Sequence, residues 1–409
     1  MPTSKITRRS DYTFQYNHRL GRHGWLRLTP AYSVKLVSEL LDSASTQSVI
    51  LDPFSGTATT GLVAGERGIK ADLVDINPFL IWFGTAKCQN YKRSHIEEIK
   101  SRCDRLLKNL IDLVETENWV PPLYNIQRWW SDPTLKILSA LREGLVLEFG
   151  EPSLRNSYHL LWVAFCRLLI ETSSAKFDHV SMSFSDSVFP FEIRQIQTLF
   201  TDILNSILDT TGDRITGDVN IHFGDSRNLG DINNLQKYTD VITSPPYPNR
   251  MSYIRELRPY MYWLKFIKVA HEAADLDWDA IGGTWGSATS RLANWTPTDR
   301  ELPDRLYEIV GAIAALDRKN SHLMAQYVMR YFHDMHLHFK SLRSRLCPGG
   351  RLYYIVGNSS FYGIQVPTQE IFKLSLHRLG YTNLSSHILR KRNSKKELFE
   401  FCVSARWHP

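Results

Sequence analysis

Val49-Ile50-Leu51-Asp52-Pro53-Phe54-Ser55-Gly56-Thr57-Ala58-Thr59-Thr60-Gly61 is the stretch that decides the fold. An apolar run ends in a turn of small residues, and Leu62, Val63 and Ala64 then begin an amphipathic stretch. That pattern reads as strand, tight turn and helix. A second run, Ala71-Asp72-Leu73-Val74-Asp75-Ile76-Asn77-Pro78, reads as a strand ending in an acid. A glycine turn after a first strand lets a ligand approach the backbone, and an acid about 20 residues on can hold ribose hydroxyls. The turn is not G-x-G-x-x-G, which disfavours a nicotinamide dinucleotide. Leu62 follows Gly61 where a nucleotide-triphosphate loop needs Lys, which excludes a P-loop.

Far downstream, Asp240-Val241-Ile242 leads into Thr243-Ser244-Pro245-Pro246-Tyr247. Proline fixes φ and offers no N–H, so Pro245 and Pro246 cannot continue a ladder, and a strand stops there in a rigid loop. The proline carbonyls and the Ser244 hydroxyl are acceptors, and Tyr247 adds a flat face. Acceptors beside a stacking ring are what holds the exocyclic amino group of a flipped nucleobase. A lone S-P-P-Y would read better as a turn capping a strand; the matching cofactor motif upstream shifts the balance.

Together, D-P-F-S-G-T-A-T-T and T-S-P-P-Y resemble the amino-group DNA methyltransferases, which act on cytosine N4 or adenine N6 with S-adenosylmethionine. Further segments resemble the same family: Thr29-Pro30-Ala31-Tyr32 before the first strand, His222-Phe223-Gly224-Asp225-Ser226-Arg227, and Leu346 to Asn358. The resemblance implies an α/β fold, a doubly wound Rossmann-like sheet of seven strands with the last inserted antiparallel. It implies that Asp75 takes the ribose hydroxyls, with Ile76 and Asn77 beside it. It places Asp52, Pro53, Phe54, Ser55, Gly56 and Thr57 at the methionine end, Asp225 and Ser226 near the adenine, and Thr29 and Pro30 flanking the cofactor. Ser244, Pro245, Pro246 and Tyr247 would form the catalytic loop. Ser at its first position leans toward cytosine N4, with adenine N6 the alternative, then an RNA amino-methyltransferase, then a non-catalytic DNA-binding module. A cytosine-C5 enzyme would need a thiol in a Pro-Cys setting near this loop, and none of the five cysteines stands there.

The chain has 409 residues, 43% of them hydrophobic and 12% aromatic, ample for a buried core. No run reaches the roughly 18 apolar residues of a membrane helix, and the start is polar and basic rather than a signal peptide. Five cysteines without a C-x-x-C pair argue against a disulfide framework and against a zinc site, so no metal is expected. The cytoplasm of a prokaryote, at the nucleoid, is the expected location. Net charge is +7, and residues 1–36 and 340–409 hold 19 Lys and Arg against 4 Asp and Glu. Basic ends folded onto one rim would track phosphates. Arg250, Tyr253 and Arg255 after the catalytic loop, and Arg390, Lys391 and Arg392, are the candidate contacts to double-stranded DNA. A cognate restriction endonuclease or defence partner is the expected protein partner.

The organisation expected is an N-terminal arm and first half-domain over 1–89, then a helical insertion over 90–215 as candidate target-recognition region. The second half over 216–409 carries its own insertion at 250–340. Residues 1–28 read as an arm or a strand laid on the body, Asp275 to Arg300 as a mobile loop, and Trp129-Trp130 as buried aromatics rather than a base wedge.

Overall fold

Seven strands form one sheet: β1 (Val49–Asp52), β2 (Lys70–Asp75), β3 (Val219–Phe223), β4 (Tyr238–Thr243), β5 (Leu346–Gly357), β6 (Thr382–Lys391) and β7 (Phe399–Arg406). Their order is β3-β2-β1-β4-β5-β7-β6. The structure is a computed structural model and describes residues 9–28, 31–176, 183–283, 289–299, 301–392 and 397–409. The first five strands pair in parallel, and β7 runs antiparallel to both β5 and β6. The doubly wound sheet with an antiparallel seventh strand is the one expected.

Strand alternation distributes the apolar residues to two faces. Ile50 and Ile242 pack with Val37, Leu41 and Val63 of α1 (Val34–Leu41) and α2 (Thr59–Glu66). Leu51 and Val241 face the other way, onto the core that includes Met324, Val328 and Phe339. Burial on both faces explains why β1 and β4 read as continuous apolar runs. Strand order reverses between β1 and β4, which opens a crevice at the carboxyl ends of the parallel strands.

From β2 the chain enters α3 (Pro78–Lys87), capped by Asn77, whose side chain accepts from Phe79 N, with Pro78 in the first turn. Between α3 and β3 lie α4 (Arg93–Lys108), α5 (Leu110–Val114), α6 (Asp132–Phe149), α7 (His159–Glu171) and α8 (Ile193–Leu208), with a two-stranded piece of Ala175–Lys176 and Ser183–Phe184. After β4 come α9 (Tyr253–Trp263), α10 (Ala270–Asp279), α11 (Thr289–Ala293), α12 (Asp304–Ala314) and α13 (Ser321–Leu342), and α14 (Thr368–Arg378) precedes β6. Helices α3 to α9 share one core. Trp130 sits at its centre, edge-on to Trp263 at 5.7 Å, with its Nε1 donating to Leu169 O. The tryptophan pair is therefore core, not wedge.

Two local expectations differ. Over its described residues, 9–28, the arm is not a strand but holds three short 3-10 turns within Ser10–Gly24, and residues 1–8 lie outside the described residues. Buried Arg22 pins it, donating to the carbonyls of Lys87, Gln89, Thr211 and Asp213. The Asp275–Arg300 loop is partly helical, since α10 reaches Asp279 and α11 spans Thr289–Ala293; residues 284–288 and 300 lie outside the described residues. Pro348-Gly349-Gly350 forms an irregularity inside β5. There the register with β4 jumps from Tyr238↔Leu346 to Asp240↔Arg351, and Gly349, at φ +81°, donates its N–H to Trp407 O. Among the described residues no helix is long and apolar enough to cross a membrane.

Candidate active site

The carboxyl ends of β1, β2, β3 and β4 open on a cleft of about 350 Å³. Both sequence motifs meet in it: Pro53, Phe54 and Gly56 from the first turn, and Ser244, Pro245, Pro246 and Tyr247 from the loop after β4. Asp75, Ile76, Asn77, Asp225 and Ser226 also line it.

Asp75 ties two strand ends together. Its carboxylate accepts from Gly56 N at 2.8 Å and from Asn77 N at 2.9 Å. Gly56 turns through φ +50°, a conformation glycine adopts without penalty. Burial pushes the Asp75 carboxyl up to about 6 against those hydrogen bonds, with the charge of Asp52 adding to the rise. Asp52 is itself fully buried behind the turn. It accepts from Thr243 Oγ1 and Thr60 Oγ1, each at 2.6 Å, and from Phe54 N at 3.1 Å, while burial raises it to about 6. Asp52 thus fastens the first turn to the residue immediately before Ser244, and the Tyr32 hydroxyl joins the same chain through Thr60. Ser55 and Thr57 are buried as well and do not line the cleft; Thr57 O takes the Lys87 ammonium.

At the far wall Arg227 organises the acids. It pairs with Asp225 at 2.7 Å and Asp334 at 3.1 Å, and donates to Asp279 O. His338 is buried, which lowers it to about 4 and keeps it neutral. Ser226 O can only accept, so His338 Nδ1 donates to it, and Nε2 accepts from the Tyr354 hydroxyl. Phe54 packs edge-on against that imidazole at 4.9 Å.

In the S-P-P-Y loop the Ser244 hydroxyl donates to Ile355 O at 3.2 Å. Pro246 O accepts from the Tyr331 hydroxyl at 2.8 Å, whereas among the described residues no donor reaches Pro245 O. The Tyr247 hydroxyl donates to Glu400 at 2.8 Å, and Tyr247 N donates to the Tyr253 hydroxyl. Burial and the Glu400 charge hold the Tyr247 phenol well above its usual range. Glu400 in turn takes a two-pronged bond from Arg390, its direct partner across the β6–β7 ladder.

The remaining sequence candidates divide. Tyr253 and Arg392 line the cleft. Arg390 lines it too, but its charge is neutralised by Glu400, so it is not the free phosphate contact expected of it. Arg250 does not line the cleft; it adopts φ +63° and its N–H donates to Tyr327. Arg255 is exposed and Lys391 half-buried, both away from the cleft. Thr29 and Pro30 lie outside the described residues. Sequence reasoning missed Thr13, Phe14 and Gln15 of the arm, Asp279 to Ile281 after α10, and Glu400. Glu400 is one of two acids, with Glu397, that follow the basic cluster, and nothing local in the sequence set it apart. A possible metal group, Asp299, Glu301 and His336, stands off the cleft, and the Lys340 ammonium already sits 2.9 Å from Asp299.

Comparison with known proteins finds distant relatives. The chain is 24% identical over 401 residues to the Type II methyltransferase M.AvaI of Nostoc sp., which spans 90% of this chain and 81% of that protein. The chain is similar to Type II methyltransferases. The M.AvaI of Anabaena variabilis matches to the same extent, and M.BsoBI of Geobacillus stearothermophilus is 23% identical over 278 residues, 59% of this chain and 52% of its own. No family model matches. Among solved structures, the rRNA methyltransferase aviRa of Streptomyces viridochromogenes covers 92% of this chain and 86% of its own at 11% identity, with a TM-score of 0.28, too low to support any argument.

Proposed function

We propose that this chain methylates the exocyclic amino group of a flipped base in double-stranded DNA, cytosine N4 before adenine N6, with S-adenosylmethionine as donor. The similarity to M.AvaI over 90% of the chain supports DNA as acceptor and a restriction-modification setting. One observation carries the chemistry: Ser244 Oγ gives its proton to Ile355 O, so its lone pairs are left as an acceptor in the cleft.

The donor set fits the cofactor. Asp75 keeps lone pairs beyond those used by Gly56 and Asn77 for ribose hydroxyls, Phe54, Ile76 and Ile281 are apolar walls, and Asp225 supplies an acceptor at the far end. The volume is that of a small-molecule site. When bound, S-adenosylmethionine supplies a methyl group on a sulfonium that needs no further activation.

An exocyclic amino nitrogen is a weak nucleophile because its lone pair is delocalised into the ring. Ser244 Oγ and Pro245 O would each accept one N–H, favouring a tetrahedral nitrogen whose lone pair is free. Tyr331 holds Pro246 O and so fixes the loop. Tyr247 offers the stacking face, its ring angle set by Glu400. Alignment does more here than acid–base strength. None of the five cysteines lines the cleft, so attack through a thiolate, as methylation of cytosine C5 requires, has no nucleophile.

The test is transfer of tritium from labelled S-adenosylmethionine to purified duplex DNA and, separately, to tRNA and rRNA. Label in duplex DNA is expected. Label only in RNA, or in neither, overturns the reading.

A further inference from the structure

The catalytic end of the cleft holds two arginines with different duties. Arg390 is committed to Glu400 through two hydrogen bonds of 2.8 and 3.0 Å. Arg392 is anchored by one nitrogen only: Nη1 donates to Asn358 O at 2.8 Å. Among the described residues its Nε and Nη2 have no acceptor. Its guanidinium carbon stands 5.3 Å from the centroid of the Tyr247 ring, and it lines the cleft. Gly357 makes this closeness possible. A Cβ there would lie 2.7 Å from Arg392 Nη1 and 2.9 Å from Tyr247 Cδ2.

We propose that Arg392 reads the target base, its planar fork taking the adjacent N3 and O2 acceptors of cytosine, and so selects cytosine over adenine. This rests on the methyl-transfer reading above. With the amino group held by Ser244 and Pro245, cytosine still presents two acceptors side by side. A guanidinium offers two parallel N–H donors in one plane, which matches them. Adenine presents N1 and then a C2–H, so the second N–H would face carbon and lose its hydration without return. The other polar groups near the loop do not supply a fork: Tyr253 has one hydroxyl, and Asn249 has one amide. Arg392 is here a specificity-determining residue, with the amino-group chemistry left to the loop.

The experiment has two stages. First, DNA from a methylation-free host expressing the wild-type chain is digested to nucleosides and sequenced for modified positions. Second, duplexes carrying cytosine or adenine at the methylated position are compared in single-turnover transfer by wild type, Arg392→Met and Arg392→Lys. Arg392→Met is expected to slow transfer to cytosine about 10–100-fold while changing transfer to adenine little, collapsing the preference. Arg392→Lys keeps the charge without the fork and should fall between. Thermal melting checks that each variant folds, and if Arg392→Met does not, the ratio for Arg392→Lys decides. No modified nucleoside at all overturns the transfer reading together with this one. N6-methyladenine as the wild-type product overturns the assignment of Arg392 but leaves amino methylation standing. An unchanged cytosine-to-adenine ratio in folded variants overturns Arg392 alone.

Discussion

Asp75 offers a quantitative test because its titration and its proposed ligand pull in opposite directions. Its carboxyl sits at about 6 in the free protein, raised chiefly by burial. Ribose hydroxyls donate hydrogen bonds, so cofactor binding selects the carboxylate and lowers that value, releasing a proton. Affinity should therefore fall as pH falls through 6. With a pKa near 6 the carboxylate fraction drops from about 0.9 at pH 7 to about 0.1 at pH 5, a loss of about tenfold in affinity. Asp75→Asn retains the volume but puts an amide N–H₂ where Gly56 N or Asn77 N now donates. It should cost about 1.5–3 kcal/mol at pH 7, the scale of hydrogen bonds to a charged group, and flatten the pH dependence. Calorimetry of S-adenosylmethionine binding from pH 5 to 7, in two buffers of different ionisation enthalpy, reads both the affinity and the proton release. Affinity independent of pH, or wild-type affinity in Asp75→Asn, would refute the ribose assignment.

Ser244→Ala should slow single-turnover transfer by about tenfold or more, the loss of one hydrogen bond of roughly 1–2 kcal/mol, with cofactor affinity held within twofold; an unchanged rate would make the loop a structural turn. Tyr247→Ala should lose about 1–3 kcal/mol of base stacking, followed by a fluorescent base analogue, while Tyr247→Phe should be mild because Arg390 still satisfies Glu400. Gly357→Ala should cost about 1–3 kcal/mol of stability by overpacking against Tyr247 and should depress transfer more than melting; full activity would mean that the ring and Arg392 can move apart freely. Asp52→Asn should be costlier at pH 5 than at pH 8, by about 1–3 kcal/mol in denaturant titrations. The raised folded-state value of Asp52 gives stability that is present at low pH and lost as pH climbs from about 4 through 6; a constant penalty would contradict it.

The sequence carried the sheet and the loop because both are written in local chemistry. Ile50-Leu51 and Val241-Ile242 are apolar runs ended by Asp52-Pro53 and Ser244-Pro245, and a parallel sheet needs just such termini at its carboxyl edge. Residues whose role depends on pairing across the chain were not legible. Arg390 read as part of a basic cluster, since only the β6–β7 register sets it opposite Glu400. Arg22 read as one more charge in a basic arm, whereas four carbonyls from two distant segments claim it. The arm has no period because it is built of 3-10 turns held by those contacts. Asp52 read as a cofactor contact because the motif places it beside the turn; the hydroxyls of Thr60 and Thr243, eight and 191 positions away, draw it behind the turn instead.

The central claim is that two acceptors in the Ser244–Tyr247 loop direct methyl transfer to an amino nitrogen of DNA. Mass spectrometry of nucleosides from a methylation-free host tests it most directly, comparing expression of the wild type with that of a folded Ser244→Ala/Tyr247→Ala variant. The account predicts N4-methyl-2′-deoxycytidine with the wild type and none above background with the variant. No modified nucleoside from the wild type, or 5-methyl-2′-deoxycytidine in its place, would contradict it.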